Sequence, residues 1–176
     1  MSGETMAIED LSIRELARDL RKGALTSEKI TLHLLERIAI INPRIRAFIR
    51  VTADRAIEDA RRADKEMKSG LDRGPMHGVP YGLKDIYDTA GIATTCHSKL
   101  LIDNTPQTDS VVAARLRDAG AVLLGKLATN EFAYGGPSYD LPFPLALNPW
   151  NLDHYTAGSS AGSAAGIAAR LFRMSP

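Results

Sequence analysis

Lys84 sits in the stretch HGVPYGLKDIYD, in a short run whose neighbours Val79, Tyr81, Leu83 and Ile86 are apolar or aromatic. A solvated lysine is out of place in a predicted strand of that kind. Burial penalises the ammonium and lowers its pKa, so a lysine held inside a sheet can be an uncharged amine at working pH and accept a proton. The alternative is a lysine paired with Asp85 or another carboxylate. Further along, Thr156 to Gly166 reads TAGSSAGSAAG. Its small residues leave space around Ser159 and Ser160 at a predicted helix start, where backbone donors and the helix dipole favour developing negative charge. A serine hydroxyl is a poor nucleophile or proton carrier without a base. Lys84 is the candidate base.

Other readings of these stretches fit less well. A flexible linker is Gly/Ser-rich and unpatterned, whereas TAGSSAGSAAG passes straight into an alanine-rich apolar run. A phosphate loop needs a Lys followed by Ser or Thr after its second glycine, and the segment has no lysine. The histidines form no recognisable motif: His33 falls in a helix, His77 and His154 in predicted turns, and His97 follows Cys96 without metal-ligand spacing. Cys96 reads as a small buried residue, and Glu131 and Asp85 as structural charges. Gly135 and Gly136 can line a substrate pocket, because glycine lets a ligand approach backbone, or can simply form a turn. No metal or cofactor motif is present, and none is expected.

Residues 1–70 read as a helical N-terminal region. Ser12 and Glu15 make a capping box for a helix to about Lys22, stopped by Gly23. Thr26 or Ser27 caps a second helix with Ile30, Leu34, Leu35 and Ile38 on one face, ending before Pro43. After IRAFIRV, a third helix carries Ala53, Ala56, Ala60, Ala63 and Met67 at helical spacing until Gly70. Residues 71–176 change grammar. YGLKDIYDT and GIATTC, divided by Gly91, predict two strands, and Asp109 caps a helix stopped by Gly120. AVLLG follows at once as a fully buried strand; a helix feeding such a strand is parallel α/β grammar. The chain then reads as irregular through Pro137, Pro142, Pro144 and Pro149, and closes on a buried alanine-rich helix from Ser160 to Leu171.

Composition sets the class. With 176 residues, 44% hydrophobic and 24% charged, the chain has the balance of a globular domain. Its net charge of +1, with both signs interspersed, gives no reason to expect a direct nucleic-acid or membrane partner. The single Cys96, and the lack of a long apolar run or charged leader, predict a cytoplasmic protein.

GVPYGLKDIYDTAGIATT, DSVVAARLRDAGAVLLGKLATNEFAYGG and NPWNLDHYTAGSSAGSAAG, in this order, closely resemble the amidase signature family, from about Leu11 to Ala169. The resemblance implies an α/β fold, the N-terminal portion of a large mixed β-sheet flanked by helices, here preceded by the helical region. Residues 71–176 would form an incomplete amidase signature domain, one partial domain overall. It also implies a Ser, cis-Ser, Lys triad. Lys84 matches the base lysine, Ser159 the bridging serine behind a cis Gly158–Ser159 peptide, and Ser160 a supporting neighbour. The chain departs from the family pattern at Ala157, at Ala161 and at Arg170, where the family has glycine. The family's nucleophilic serine lies in a glycine-rich loop further along than the 17 residues that follow Ser159. Ser163 and Ser175 do not match it, so no residue here is assigned as nucleophile. Three functions follow as expectations: a carboxamide hydrolase acting on a small-molecule amide, catalytically incomplete in this chain alone; a non-catalytic fragment that self-associates or meets a complementing chain through an exposed sheet edge; or a small-ligand binding module.

Overall fold

The computed structural model describes residues 7–176; the first six residues of the predicted helical region lie outside them. After a 3-10 turn at Ile8–Asp10 come α1 (Ile13–Arg21), α2 (Ser27–Ile45), β1 (Phe48–Val51), α3 (Ala53–Lys68), β2 (Pro80–Lys84), α4 (Val111–Asp118), β3 (Val122–Leu127), the short β4 (Leu147–Asn148), β5 (Asn151–Tyr155) and α5 (Ala161–Ala168). The Ser12–Glu15 capping box forms in full, and the Thr26 side chain caps α2. Asp64 of α3 adds a second cap, its carboxylate accepting the Ser27 and Glu28 N–H groups at 2.7 and 3.0 Å. No local pattern announces that contact.

The sheet is mixed, in the order β1-β3-β2, with β3 parallel to β2 and antiparallel to β1. Its core has two sides. Ile30, Leu34, Ala56, Ala60, Ala165 and Leu127 belong to the side built by α2, α3 and α5; Tyr81, Leu83, Leu123 and Ala113 of α4 form the other. Between Tyr81↔Leu123 and Gly82↔Gly125, β3 carries one extra residue. Such a bulge reverses which face each later side chain takes. Leu127 therefore joins the α5 side while Lys126 points to the other. Gly125 has φ 156°, and a Cβ there would meet the Arg50 carbonyl.

Five expectations need correction. α2 does not stop before Pro43 but continues to Ile45. In a last turn the proline forfeits one helical bond, Ile45 is buried beyond it, and left-handed Arg46 (φ 57°) ends the helix. GIATTC forms no strand beyond an isolated Thr89–Ile92 bridge, because loop partners take its backbone instead: the Gly91, Thr94 and Cys96 N–H groups donate to the carbonyls of Pro106, Asn104 and Asp85, and the Thr95 N–H to the Asp85 carboxylate. Ser110, not Asp109, caps α4; Asp109 accepts from the Ala90 N–H at 2.7 Å. The proline-rich stretch ends in the β4–β5 hairpin, which takes in His154, and Asn148 Oδ1 accepts the Trp150 N–H at 3.0 Å across its turn. α5 stops at Ala168, three residues short. Its glycines are close-packed as expected: a Cβ on Gly162 would strike the backbone of Ala47 and Ala128, and one on Gly166 would strike Phe172. Among the described residues no helix is long and apolar enough to cross a membrane.

Candidate active site

Lys84 is the last residue of β2, and Ser159 lies just ahead of α5. The fold brings them together because α5 lies against the sheet, the Gly162 N–H donating to the Ala128 carbonyl at 2.8 Å. Lys84 Nζ donates to Ser159 Oγ at 2.7 Å. The lysine is only 6% exposed, and Ser159 is half-buried. Burial pulls the Lys84 amine below the ordinary 10.5, and no carboxylate pulls it back. The Gly158–Ser159 peptide is cis. The pairing of Lys84 with Asp85, the open alternative in the sequence, does not occur: Asp85 turns to the opposite face and meets Lys126 at 3.1 Å.

Ser160 is exposed at the N-cap of α5, and its side chain makes no capping hydrogen bond. Its hydroxyl does not reach the Lys84–Ser159 contact; its carbonyl accepts the Ala164 N–H at 3.1 Å. Gly135 and Gly136 lie on an exposed loop, with Gly135 at φ 70°. Nothing would obstruct a Cβ at either position. They connect to the site through Asn130, a residue that pattern reading passes over. Asn130 Nδ2 donates to the Gly135 carbonyl at 2.7 Å, its backbone N–H donates to the Ser159 carbonyl at 3.1 Å, and its side chain fills the space where a Cβ of Gly158 would stand. Ser163 and Ser175 hydrogen-bond each other at 2.8 Å. Among the described residues Ser159 Oγ has one hydrogen-bond partner, Lys84, and no three His, Cys, Asp or Glu side chains are grouped to hold a metal ion.

A buried amine touching a serine hydroxyl can pass a proton to and from a group beyond that hydroxyl. The family profile of Amidase matches residues 29–175, and the chain belongs to that family. It is 44% identical over 165 residues to the A-type subunit of a glutamyl-tRNA(Gln) amidotransferase from Geobacter metallireducens, covering 94% of this chain and 34% of that protein. The subunit of the same name from a Roseiflexus species is 42% identical over 162 residues, 92% of this chain and 33% of its own length. Among solved structures, the peptide amidase of Stenotrophomonas maltophilia superposes with TM-score 0.85 at 35% identity, over 94% of this chain and 35% of that one. A fatty acid amide hydrolase superposes at 0.91 with 26% identity, over 99% and 31%. The chain thus spans about a third of the length of the relatives it matches. It carries part of a mixed α/β amidase fold.

Proposed function

We propose that this chain carries the base half of an amidase-type site acting on the carbon–nitrogen bond of a small carboxamide. Lys84 in its uncharged form is the terminal base. Ser159 relays a proton to it from a second hydroxyl, which attacks the amide carbonyl; the proton then returns to the leaving amine, and water or another amine releases the acyl group. Ser160 supports the turn through its backbone, and the Gly135–Gly136 loop borders the substrate. The single observation behind this reading is the 2.7 Å contact between a buried lysine amine and a serine hydroxyl. Among the described residues no second hydroxyl is hydrogen-bonded to Ser159 Oγ, and Ser163 and Ser175 bond each other instead. Residues 71–176, with the helical region ahead of them, are taken as one partial domain, and the 176-residue polypeptide alone is inactive.

The test has two arms. The polypeptide alone is offered an aryl amide, and no turnover is expected; turnover abolished by Lys84→Ala overturns the incompleteness. In a chimera, this chain replaces the matching third of the Stenotrophomonas peptide amidase. Amide hydrolysis is expected, lost in Lys84→Ala and Ser159→Ala. A chimera whose activity ignores both substitutions ends the assignment.

A second reading, a fragment completed by another chain, is favoured by an open apolar groove of about 350 Å³ beside α2, the hairpin tip and α5, with Ile40 and Trp150 74% and 85% exposed. The relatives named as subunits make a partner chain a reasonable occupant of that groove. The β2 edge offers it less, because the Gly82 N–H already donates to the Met174 carbonyl at 3.2 Å. Sedimentation of the pure polypeptide as a stable monomer argues against this reading.

A further inference from the structure

Behind Lys84, on the opposite face of the sheet, Asp85 and Lys126 form an ion pair with both side chains at 0% exposure. Exchanging a buried pair for apolar residues is often neutral or stabilising, so stability alone does not account for it. The contacts of the pair point elsewhere. Asp85 Oδ2 accepts the Thr95 N–H at 2.9 Å and the Thr95 hydroxyl at 2.5 Å. Lys126 Nζ donates to the Tyr87 carbonyl at 2.8 Å and to Thr94 Oγ1 at 2.6 Å. Asp85 thus takes one backbone N–H of GIATTC and Lys126 holds the Thr94 hydroxyl, while the Thr95 hydroxyl bound to Asp85 accepts the His97 N–H at 3.0 Å, which fixes the left-handed turn at Cys96 and His97 (φ 48° and 57°).

That turn holds the next one. The Cys96 carbonyl accepts the Phe132 N–H at 3.0 Å, and His97 Nδ1 accepts the Thr129 N–H at 3.3 Å. Between them sits Asn130, whose N–H holds the Ser159 carbonyl. On the other arm, Asp85 adjoins Lys84 in the chain, and its N–H donates to the Leu127 carbonyl at 3.1 Å. The pair therefore reaches both partners of the Lys84–Ser159 contact.

We infer that Asp85 and Lys126 are positioning residues: from the far face of the sheet they clamp the 94–97 turn, and through Asn130 they hold Ser159 over Lys84 and seal the amine from water. The inference rests on the proposed proton path, and its test separates the two. Lysine 13Cε NMR follows the Lys84 signal, assigned by its disappearance in Lys84→Met, through a pH titration of the polypeptide. The wild type is expected to titrate below an exposed lysine. In Asp85→Leu/Lys126→Met, which removes both charges together, the thermal midpoint is expected to fall, since the Thr95 N–H and the Tyr87 carbonyl lose their partners, while the chain stays folded and the Lys84 titration rises by about one pH unit or more as water reaches the amine.

A folded double variant with unchanged Lys84 titration overturns the inference and leaves the proton path standing. A wild type whose Lys84 titrates like an exposed lysine overturns the proton path itself. Should the double variant not fold, Thr95→Val cuts the relay next to Asp85 without stranding a charge: a raised Lys84 titration supports the clamp, and an unchanged one overturns it.

Discussion

The two faces of the sheet each hold a buried lysine, one strand apart, and treat it differently. On the α5 face Lys84 meets only a hydroxyl, and desolvation alone sets its pKa. On the α4 face Lys126 is withdrawn from water more completely, and burial lowers its pKa too, but Asp85 and Asp88 oppose that pull, and a carbonyl and a hydroxyl accept its protons. Burial alone does not set how a lysine titrates. What distinguishes the two is whether the interior supplies the charged form with a counter-ion. The extra residue in β3 enforces the distinction, since without that phase change Lys126 would share the face of Lys84.

The largest expected effect comes from breaking the paired side. Lys126→Ala strands the Asp85 carboxylate in a dry site and should cost about 3–5 kcal/mol in urea denaturation at neutral pH. Lys84→Met should act in the opposite direction, because it removes a desolvation penalty that no partner offsets. The sign with pH follows from linkage. The folded-state pKa of Lys84 lies below 10.5, so between the two values the unfolded chain binds more protons and wild-type stability rises with pH. The advantage of Lys84→Met should therefore be fullest below the folded pKa and vanish as pH approaches 10.5. An advantage independent of pH would mean that Lys84 is solvated and the contrast between the faces is false.

A smaller effect sharpens the comparison by touching one face only. Gly162 lets α5 approach β3 so closely that a methyl group would run into the backbone of Ala47 and Ala128. Gly162→Ala should push α5 outward, at a cost of about 1–3 kcal/mol. It should also expose Lys84 while leaving the Asp85–Lys126 pair intact. Faster acylation of Lys84 by a water-soluble reagent, mapped by mass spectrometry, with Lys126 still protected, is the expected pattern. Equal exposure of both lysines would show that the faces are not independent.

Much of this was legible because local signals carried it. The Ser12–Glu15 box, the alanine spacing of α3 and the apolar run of β3 each specify an element within a few residues, and the charged member of an apolar strand pointed to Lys84. What escaped the sequence depends on contacts distant along the chain. Asn130 looks like any loop asparagine until the fold sets it between Gly135 and Ser159, and Lys126 looks like a strand-end lysine until the bulge turns it to the α4 face beside Asp85. GIATTC has strand propensity, but the carbonyls of Pro106, Asn104 and Asp85 and the Asp85 carboxylate take the N–H groups that a ladder would use. Pro43 is a helix breaker in isolation and a tolerable last-turn residue where Ile45 has a core to enter.

The smallest effect concerns Arg170, a non-glycine residue that the structure places in a left-handed conformation. Arg170 follows α5 at φ 57°, the left-handed position after a helix end where glycine carries no Cβ penalty. Left-handed backbone costs an L-residue about 1–2 kcal/mol relative to glycine. In return Arg170 gains an ion pair with Asp10, and since its side chain is 55% exposed that pair is worth about 0–1 kcal/mol. The Arg170 N–H still closes onto the Ile167 carbonyl at 3.0 Å, and Leu171 and Phe172 behind it are buried, so the turn is held whichever residue occupies it. Arg170→Gly should therefore stabilise the chain by about 0.5–1 kcal/mol, less any gain in unfolded-state freedom. The gain should grow with added salt, as the lost ion pair comes to matter less. Neither effect should reach the Lys84 titration, because Arg170 acts at the far end of α5. If it does, the position of that helix, and not the local seal around the amine, governs the burial of Lys84.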